Sequence, residues 1–520
     1  MKWIEPKSDR TRTVLLAAMA TVGAWFGFPN HLLHLPWLVL LLPLALFMAA
    51  EIPGSGKSVF LRGLLIGTAA HTAALYWIVI PVSFHGGIPL PLALPCPVLL
   101  GCYLGLFSGM FTLCCRWVLQ SLPTWSSALA AGLIWYFTEL FQNMIPVGFP
   151  WLVLPSALTF TPWAIQGAGI IGTNALSGLL AVTAVLLGQA LRKPLFLIPA
   201  AAICMGLFLF GTRALESASR PESSFSVALV QGNIDQDQKW DEAFQDFTVT
   251  KYLTLTDQAL EASPEVIIWP ETAMPFYFQD MADQSLRIRE YVRQHGFLLL
   301  TGTPGYTFTS FDPPEYVIHN RLISLAPNGS MDFYDKERLV PFGEYVPLGR
   351  FIPFIGKLTQ GDLDFSPGRN AAPLIHGSAR MGGLICFEAI FPSLGVERVK
   401  KGANVLVNVS NDAWFGRSSA LLQHLALASL RAVETNRFLI RATNTGISAI
   451  IDNSGRILRQ TSSFQDAVLV HQDVGLVEKP SIFARVSRPL PFILLALATA
   501  LACWGWLRTK QAVGRHSSAG

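Results

Sequence analysis

The chain has 520 residues, of which 51% are hydrophobic and only 14% charged, with a formal net charge of +4 at pH 7. Soluble domains carry about 25% charged residues, so a mean hydropathy of +0.42 excludes a chain that is soluble throughout and puts much of it in lipid. The small positive balance comes from the rim of the apolar part rather than from a basic domain, which leaves nucleic-acid binding without support.

Acidic residues mark the partition. Of 34 Asp and Glu, only Glu5, Asp9, Glu51 and Glu139 precede Gly211, and none follows Glu478. A spanning helix needs about 20 mostly apolar residues. Seven such stretches precede the polar part, at 13–29, 32–50, 59–82, 89–115, 124–142, 163–190 and 194–212, and an eighth lies at 489–507. Six further spans follow the first, and no small-residue cleavage site precedes a soluble domain, so it reads as a span and not as a cleavable signal. These bounds divide the chain into a seven-helix transmembrane domain (1–212), a polar domain (213–487) and an eighth helix with its tail (488–520).

Orientation follows from the basic residues. Lys2, Lys7, Arg10 and Arg12 precede the first span, Lys57, Arg62, Arg116, Arg192 and Lys193 flank alternate loops, and Arg508, Lys510 and Arg515 follow the last. The intervening loops at 29–31, 83–88 and 143–162 contain no Lys or Arg. Both termini are therefore expected in the cytoplasm of a bacterium, with a multi-pass domain in its inner membrane and the polar domain in the periplasm. Within the spans, Glu139 marks either a polar route or an interfacial position beside Gln142 and Asn143.

In the polar domain, Ser226–Ile234 reads as a strand, Asp241–Ala262 as a helix and Glu265–Trp269 as a second, short strand. Further strands are expected at 297–303, 317–326, 380–386, 404–410 and 438–451, with helices near 280–295, 391–401 and 419–436. Strand and helix alternation of this kind predicts an α/β domain.

Of the seven cysteines, Cys96, Cys102, Cys114, Cys115, Cys204 and Cys503 lie in apolar spans, leaving Cys386 alone in the polar domain. A thiol without a disulfide partner in an oxidising compartment is either a small buried hydrophobe or a nucleophile. Three polar groups stand at ends of runs, where α/β sheets collect their sites: Glu271, Lys336 and Cys386. As a set they suit acyl transfer. Cys386 attacks a carbonyl, Glu271 accepts the thiol proton and returns it to a leaving group, and Lys336 favours the thiolate and stabilises the oxyanion. No clustered His and Cys ligand set appears, so neither a metal nor a diffusible cofactor is implied.

The segments Trp269-Pro-Glu-Thr-Ala-Met-Pro275, Tyr334-Asp-Lys-Glu-Arg-Leu-Val-Pro-Phe-Gly-Glu-Tyr-Val-Pro347, Gly382-Gly-Leu-Ile-Cys-Phe-Glu388 and Asn408-Val-Ser-Asn-Asp-Ala-Trp-Phe-Gly416 resemble the carbon-nitrogen hydrolase (nitrilase) superfamily. With eight spans around the domain, the chain more narrowly resembles the bacterial apolipoprotein N-acyltransferases. The resemblance implies an α-β-β-α sandwich and a Glu271, Lys336, Cys386 triad. It also implies roles for Glu344 near the oxyanion, for Glu388 beside the nucleophile and for Trp240 at the substrate entrance. Phe387 stands where that family commonly has Tyr. His424, Arg431, Glu434, Arg437 and Arg441 fall in a family-like stretch, but helical spacing and paired charges give them a structural reading.

The triad alone does not say whether the acyl group ends on water or on an amine. The apolar string through Phe342, Tyr345, Phe351 and Phe354 is unusual for a soluble enzyme and reads either as a lid or arm resting on the bilayer or as a packed loop; with Trp240, these four are the expected substrate-binding residues. The resemblance implies a phospholipid as acyl donor and the α-amino group of a diacylglyceryl-cysteine on an apolipoprotein as acceptor, through a cysteine thioester. A membrane-tethered amidase, a transporter or receptor with an exported ligand-binding domain, and a scaffold are the competing readings.

Overall fold

The computed structural model describes residues 8–217, 221–236, 239–347 and 364–517. The chain forms two compact units, one of Met1–Val79, Leu90–Glu216 and Arg485–Gly520, the other of Ile80–Pro89 and Ser217–Ala484.

The first unit is helical. Among the described residues four helices are long and apolar enough to cross a membrane, at Leu90–Ser121, Ala168–Ala190, Pro194–Glu216 and Leu490–Lys510. A fifth is gained if Gly56–Ala74 and Tyr76–His85, bent by 65° at their junction, count as one span. The remaining expected stretches are also helical, at Asp9–Gly27, Pro36–Glu51 and Thr124–Met144, but they are shorter or more polar. Glu139 is buried there and accepts a hydrogen bond from Trp135 Nε1 at 2.8 Å.

The second unit holds two six-stranded sheets. The first has the order β12-β1-β2-β3-β4-β5, the second β11-β10-β9-β8-β7-β6. In chain order the strands are β1 Ser223–Gln231, β2 Val266–Ile268, β3 Leu298–Phe311, β4 Pro314–Leu325, β5 Met331–Asp335, β6 Leu374–His376, β7 Ala379–Ile385, β8 Val405–Ser410, β9 Leu439–Thr443, β10 Ala449–Ile451, β11 Ile457–Gln460 and β12 Ala467–Leu476.

Side-chain alternation explains the layers. On β1, Val227 and Leu229 join Val266, Ile268, Val407, Val409 and Ile440 in a core between the sheets. Their neighbours Ala228 and Val230 face the other way, into a second core with Val249, Tyr252, Ile288 and Val292. These last come from the Gln245–Leu260 and Asp283–His295 helices. A strand buried on both faces reads as an apolar run, which is how Val227–Val230 of β1, β2 and β8 read, the last interrupted by Asn408, whose amide donates to the Leu384 carbonyl. The glycine pair on β7 serves both faces: a Cβ on Gly382 would meet Arg398 on the Pro392–Lys400 helix, and one on Gly383 would meet Tyr334 on β5. The layers are thus α-β-β-α.

β1, β2 and β3 are parallel, as are β7, β8 and β9. β5 is reached from β3 through two antiparallel pairings, so it runs in the direction of β2. Within the first sheet, Glu271 after β2 and Lys336 after β5 therefore emerge at one edge, while Cys386 and Asn411 emerge together from β7 and β8 of the second.

Several expectations are corrected. The run 438–451 is two antiparallel strands, β9 and β10, because Asn444 turns aside to bond Ile234 and Asn411. β1 ends at Gln231, since Asn233 adopts a φ of 49°. β3 and β4 continue beyond 303 and begin before 317, forming one long hairpin. The strands β5, β6, β11 and β12 are short, at an edge or partly exposed, and lack the apolar run that marks the others.

The close approach at Gly383 supplies a test. An added methyl would stand 2.8 Å from the Tyr334 ring, between two sheets that cannot part locally. Gly383→Ala is expected to destabilise the second unit by about 1–3 kcal/mol, seen as a lower unfolding midpoint of the detergent-solubilised chain.

Candidate active site

Cys386 closes β7 and opens a short 3-10 turn, Cys386–Ile390. Its backbone takes a φ of 51°, a left-handed conformation that costs a non-glycine residue energy and persists only where its surroundings impose it. Two buried groups do so. Glu388 accepts from the Ile385 amide at 2.7 Å with one oxygen, and from the Glu337 and Arg338 amides at 2.7 and 3.0 Å with the other. It also receives the Tyr334 hydroxyl, which in turn accepts from Arg398 at 2.5 Å. One carboxylate thereby ties the nucleophile turn to the chain just beyond Lys336.

From the opposite side, His424 Nε2 lies 3.1 Å from the Cys386 carbonyl oxygen. His424 Nδ1 lies 3.1 Å from Asp412 and 3.0 Å from Arg441, and Arg441 reaches Asp412 at 2.7 Å. Burial, reinforced by Arg441, pushes the imidazole toward its neutral form against the pull of Asp412. In that form Nε2–H donates to the Cys386 carbonyl and Nδ1 accepts from Arg441.

Lys336 is fully buried between two carboxylates. Its Nζ lies 2.9 Å from Glu344 Oε1 and 3.5 Å from Glu271 Oε1. Asn320 Nδ2 donates to both acids, at 2.7 Å to Glu271 and 2.8 Å to Glu344. The second oxygen of Glu344 accepts from the Val340 amide, and that of Glu271 from the Asn411 amide, each at 2.8 Å. Burial alone would weaken the ammonium, but Glu344, Glu271 and Cys386 outweigh it and hold Lys336 above its ordinary value.

The Cys386 thiol lies within electrostatic reach of Glu271 and Lys336, so the three residues singled out from the sequence come together. Burial, then the Glu271 charge, push the thiol up, and Lys336 only partly opposes them. The expectation that Lys336 favours the thiolate is thus outweighed at rest: the resting group is a neutral thiol. Glu271, hydrogen-bonded at both oxygens, is a carboxylate within electrostatic reach of that thiol.

Of the other expected residues, Glu344 joins the cluster directly and Glu388 acts as the brace described above. Phe387 is buried and packs edge-on against Phe391, with ring centroids 5.1 Å apart. Trp240 is 37% exposed and directly follows Lys239, whose ammonium bonds the Glu271 carbonyl oxygen at 3.2 Å. Phe342, exposed and at a φ of 63°, and half-buried Tyr345 flank Glu344 and are joined by a Phe342 amide to Tyr345 carbonyl bond of 2.7 Å. Phe351 and Phe354 lie outside the described residues.

Asn320 and Lys239 were not singled out from the sequence, and Asn411 and Asp412 entered only as part of a quoted motif. Asn320 carried no signal of its own, because it stands in the polar run His319-Asn320-Arg321 of β4 and only the fold buries it between the two acids. Arg431 and Glu434 form a buried ion pair of 2.8 Å, in keeping with their structural reading. His424 and Arg441 stand closer to the chemistry than helical spacing implied.

Residues 226–477 match the carbon-nitrogen hydrolase family and residues 17–186 the apolipoprotein N-acyltransferase N-terminal domain. The chain is 36% identical to the apolipoprotein N-acyltransferase of Geobacter metallireducens over 96% of each chain. It is 33% identical to that of Azotobacter vinelandii over 91% of each, and 31% identical to that of Pseudomonas putida over 96% of this chain and 97% of the relative. Among solved structures it is similar to Nit3 of Saccharomyces cerevisiae, a nitrilase superfamily member, at 18% identity and a TM-score of 0.38, covering 50% of this chain and 93% of that one.

The brace at Glu388 makes a specific expectation. In Glu388→Gln the amide nitrogen must face either the Ile385 amide or those of Glu337 and Arg338, donor against donor. The turn shifts, and a displacement of about 1 Å costs about 100-fold in rate. Modification of Cys386 by an acyl donor, followed by intact mass, should slow by that order although residue 388 never meets the substrate.

Proposed function

The chain belongs to the apolipoprotein N-acyltransferase family, and on that premise we propose that it moves a fatty acyl chain from a membrane phospholipid to the α-amino group of an N-terminal diacylglyceryl-cysteine, by way of a thioester on Cys386. The observation that carries this reading is the strained turn presenting Cys386 to the hydrogen-bonded Glu271, Lys336 and Glu344 cluster.

In the first half-reaction the thiol attacks the phospholipid ester carbonyl as Glu271 takes its proton. The oxygen that becomes anionic is stabilised by Lys336, supported by Glu344. Collapse breaks the ester C–O bond, and Glu271 returns the proton to the departing lysophospholipid oxygen. In the second half, the free amine attacks the thioester carbonyl, an N–H proton passes to Glu271, and the C–S bond breaks to release an amide and regenerate the thiol. Thioesters react with amines more readily than oxygen esters do, and apolar chains at the site limit competing hydrolysis.

The arrangement in the cell follows the same reading: eight spans in a bacterial inner membrane, cytoplasmic termini, and a periplasmic catalytic domain at about 213–487. It is supported by the alternation of basic residues between loops and by a helix at each apolar stretch. On this reading Trp240, Phe342 and Tyr345 form the entrance and acyl-chain wall. No cofactor is required.

The test is the intact mass of the detergent-purified chain after incubation with phospholipid, with Cys386→Ala as control, followed by a diacylated lipopeptide with a free amino terminus. A fatty-acyl increment absent in Cys386→Ala, and lost as the peptide gains an amide-linked chain, is the expected result. Turnover of soluble amides with no increment would replace the transferase by a hydrolase.

A further inference from the structure

Lys239 is buried to 1% exposure, yet the reaction above does not use it. An ammonium in that position is expensive unless it is doing something a Met of similar length cannot. Its hydrogen bond goes to the main-chain oxygen of Glu271, 3.2 Å away, while its own amide is held by the Asp235 carbonyl. A second path joins the same chain to the same base: Gln236 Oε1 accepts from Asn411 Nδ2 at 2.6 Å, and the Asn411 amide donates to Glu271 Oε2 at 2.8 Å. Asn444 closes the ring, bonding Asn411 Oδ1 at 3.1 Å and the Ile234 carbonyl at 2.8 Å. Glu271 is thus gripped at its carbonyl and at its carboxylate by the chain that leads into Trp240.

We propose that Lys239 is a positioning residue acting through Glu271: its ammonium locks the chain that carries Trp240 to the main chain of the base, so that the entrance wall and the proton acceptor are set together. This deepens the acyl-transfer reading and rests on it for the roles of Trp240 and Glu271. Among the described residues the charged group that acts on Lys239 is Glu271, with Lys336 and Glu344 beyond it, so a protonated Lys239 balances these two carboxylates with two ammonium groups. Loss of its proton weakens the bond to the carbonyl and leaves the site with excess negative charge as the thiol gives up its own.

Burial draws Lys239 down to about 7 against the opposing pull of Glu271. Lys336 and Cys386 are both held up, away from neutrality. Lys239 is protonated below about 7 and neutral above it, so its contribution fades as pH rises.

The experiment compares the full-length chain with Lys239→Met and Lys239→Arg. It follows the rate of thioester formation on Cys386 across neutral pH, and amide hydrogen exchange in peptides containing Ile234 and Trp240. Wild type should acylate more slowly as pH rises through about 7, Lys239→Met should be about 10- to 100-fold slower, and Lys239→Arg should recover the rate without the alkaline fall. Exchange should quicken in the Met variant and return in the Arg variant. A folded Lys239→Met with wild-type rate and exchange would overturn the proposal, as would a Lys239→Arg that keeps the wild-type alkaline fall. Should Lys239→Met not fold, the Lys239→Arg profile decides alone. If no form makes a thioester while exchange still responds as described, the acyl-transfer reading fails and the lock stands.

Discussion

Two carboxylates share one buried ammonium at the centre of the second unit, and the rest of the site is arranged around keeping that cluster together. Glu271, Lys336 and Glu344 come from the ends of β2 and β5 and from the chain after β5. Removing Lys336 would leave uncompensated buried charge, of the kind that costs about 3–5 kcal/mol. That penalty explains why each acid oxygen has a further donor: Asn320 at two of them and the Asn411 and Val340 amides at the others. Donors already in place need no rearrangement when charge moves during a reaction.

The same economy governs the nucleophile. A thiol that burial keeps neutral is stable toward stray oxidants, because the thiolate is the reactive form. Its left-handed backbone would relax if left alone, so Glu388 and the Asp412, His424 and Arg441 group hold it from two sides. These braces draw on both sheets: Tyr334 lies on β5 of the first, with the Glu337 amide just beyond that strand, and Ile385 on β7 of the second. The strain is therefore borne by the sandwich as a whole rather than by the turn.

Much of this was legible in the sequence. The apolar runs of β1, β2, β7 and β8 are buried on both faces and announce themselves, and Glu271 and Cys386 stand just beyond two of them, whereas Lys336 follows the edge strand β5. Glu344 and Glu388 entered through the resemblance alone, since a carboxylate two residues after a nucleophile has no periodic signature. The edge strands β5 and β11 were missed because their stability comes from pairing with a neighbour laid down elsewhere in the chain. Lys239 was invisible for a similar reason: a lysine between Gln238 and Trp240, with Asp237 and Asp241 two residues away, reads as a solvated surface, and only the fold carries it beneath Glu271. His424 and Arg441 were read as ordinary helix and strand charges, because their convergence on Asp412 depends on how three separated elements meet.

The segment Ile80–Pro89 belongs by packing to the second unit although helices of the first precede and follow it in the chain. His85 sets its ring edge-on against Trp414, with centroids 5.0 Å apart, and Ile80 crowds Gly416, which adopts a φ of 54°. Both partners lie in the loop that leaves Asn411 and Asp412. The catalytic sandwich is consequently not a contiguous stretch of gene: residues 217–484 cut out alone would lack one of their own walls. An excised second unit therefore keeps the packing around Trp414 and Gly416 only if Ile80–Pro89 is supplied with it.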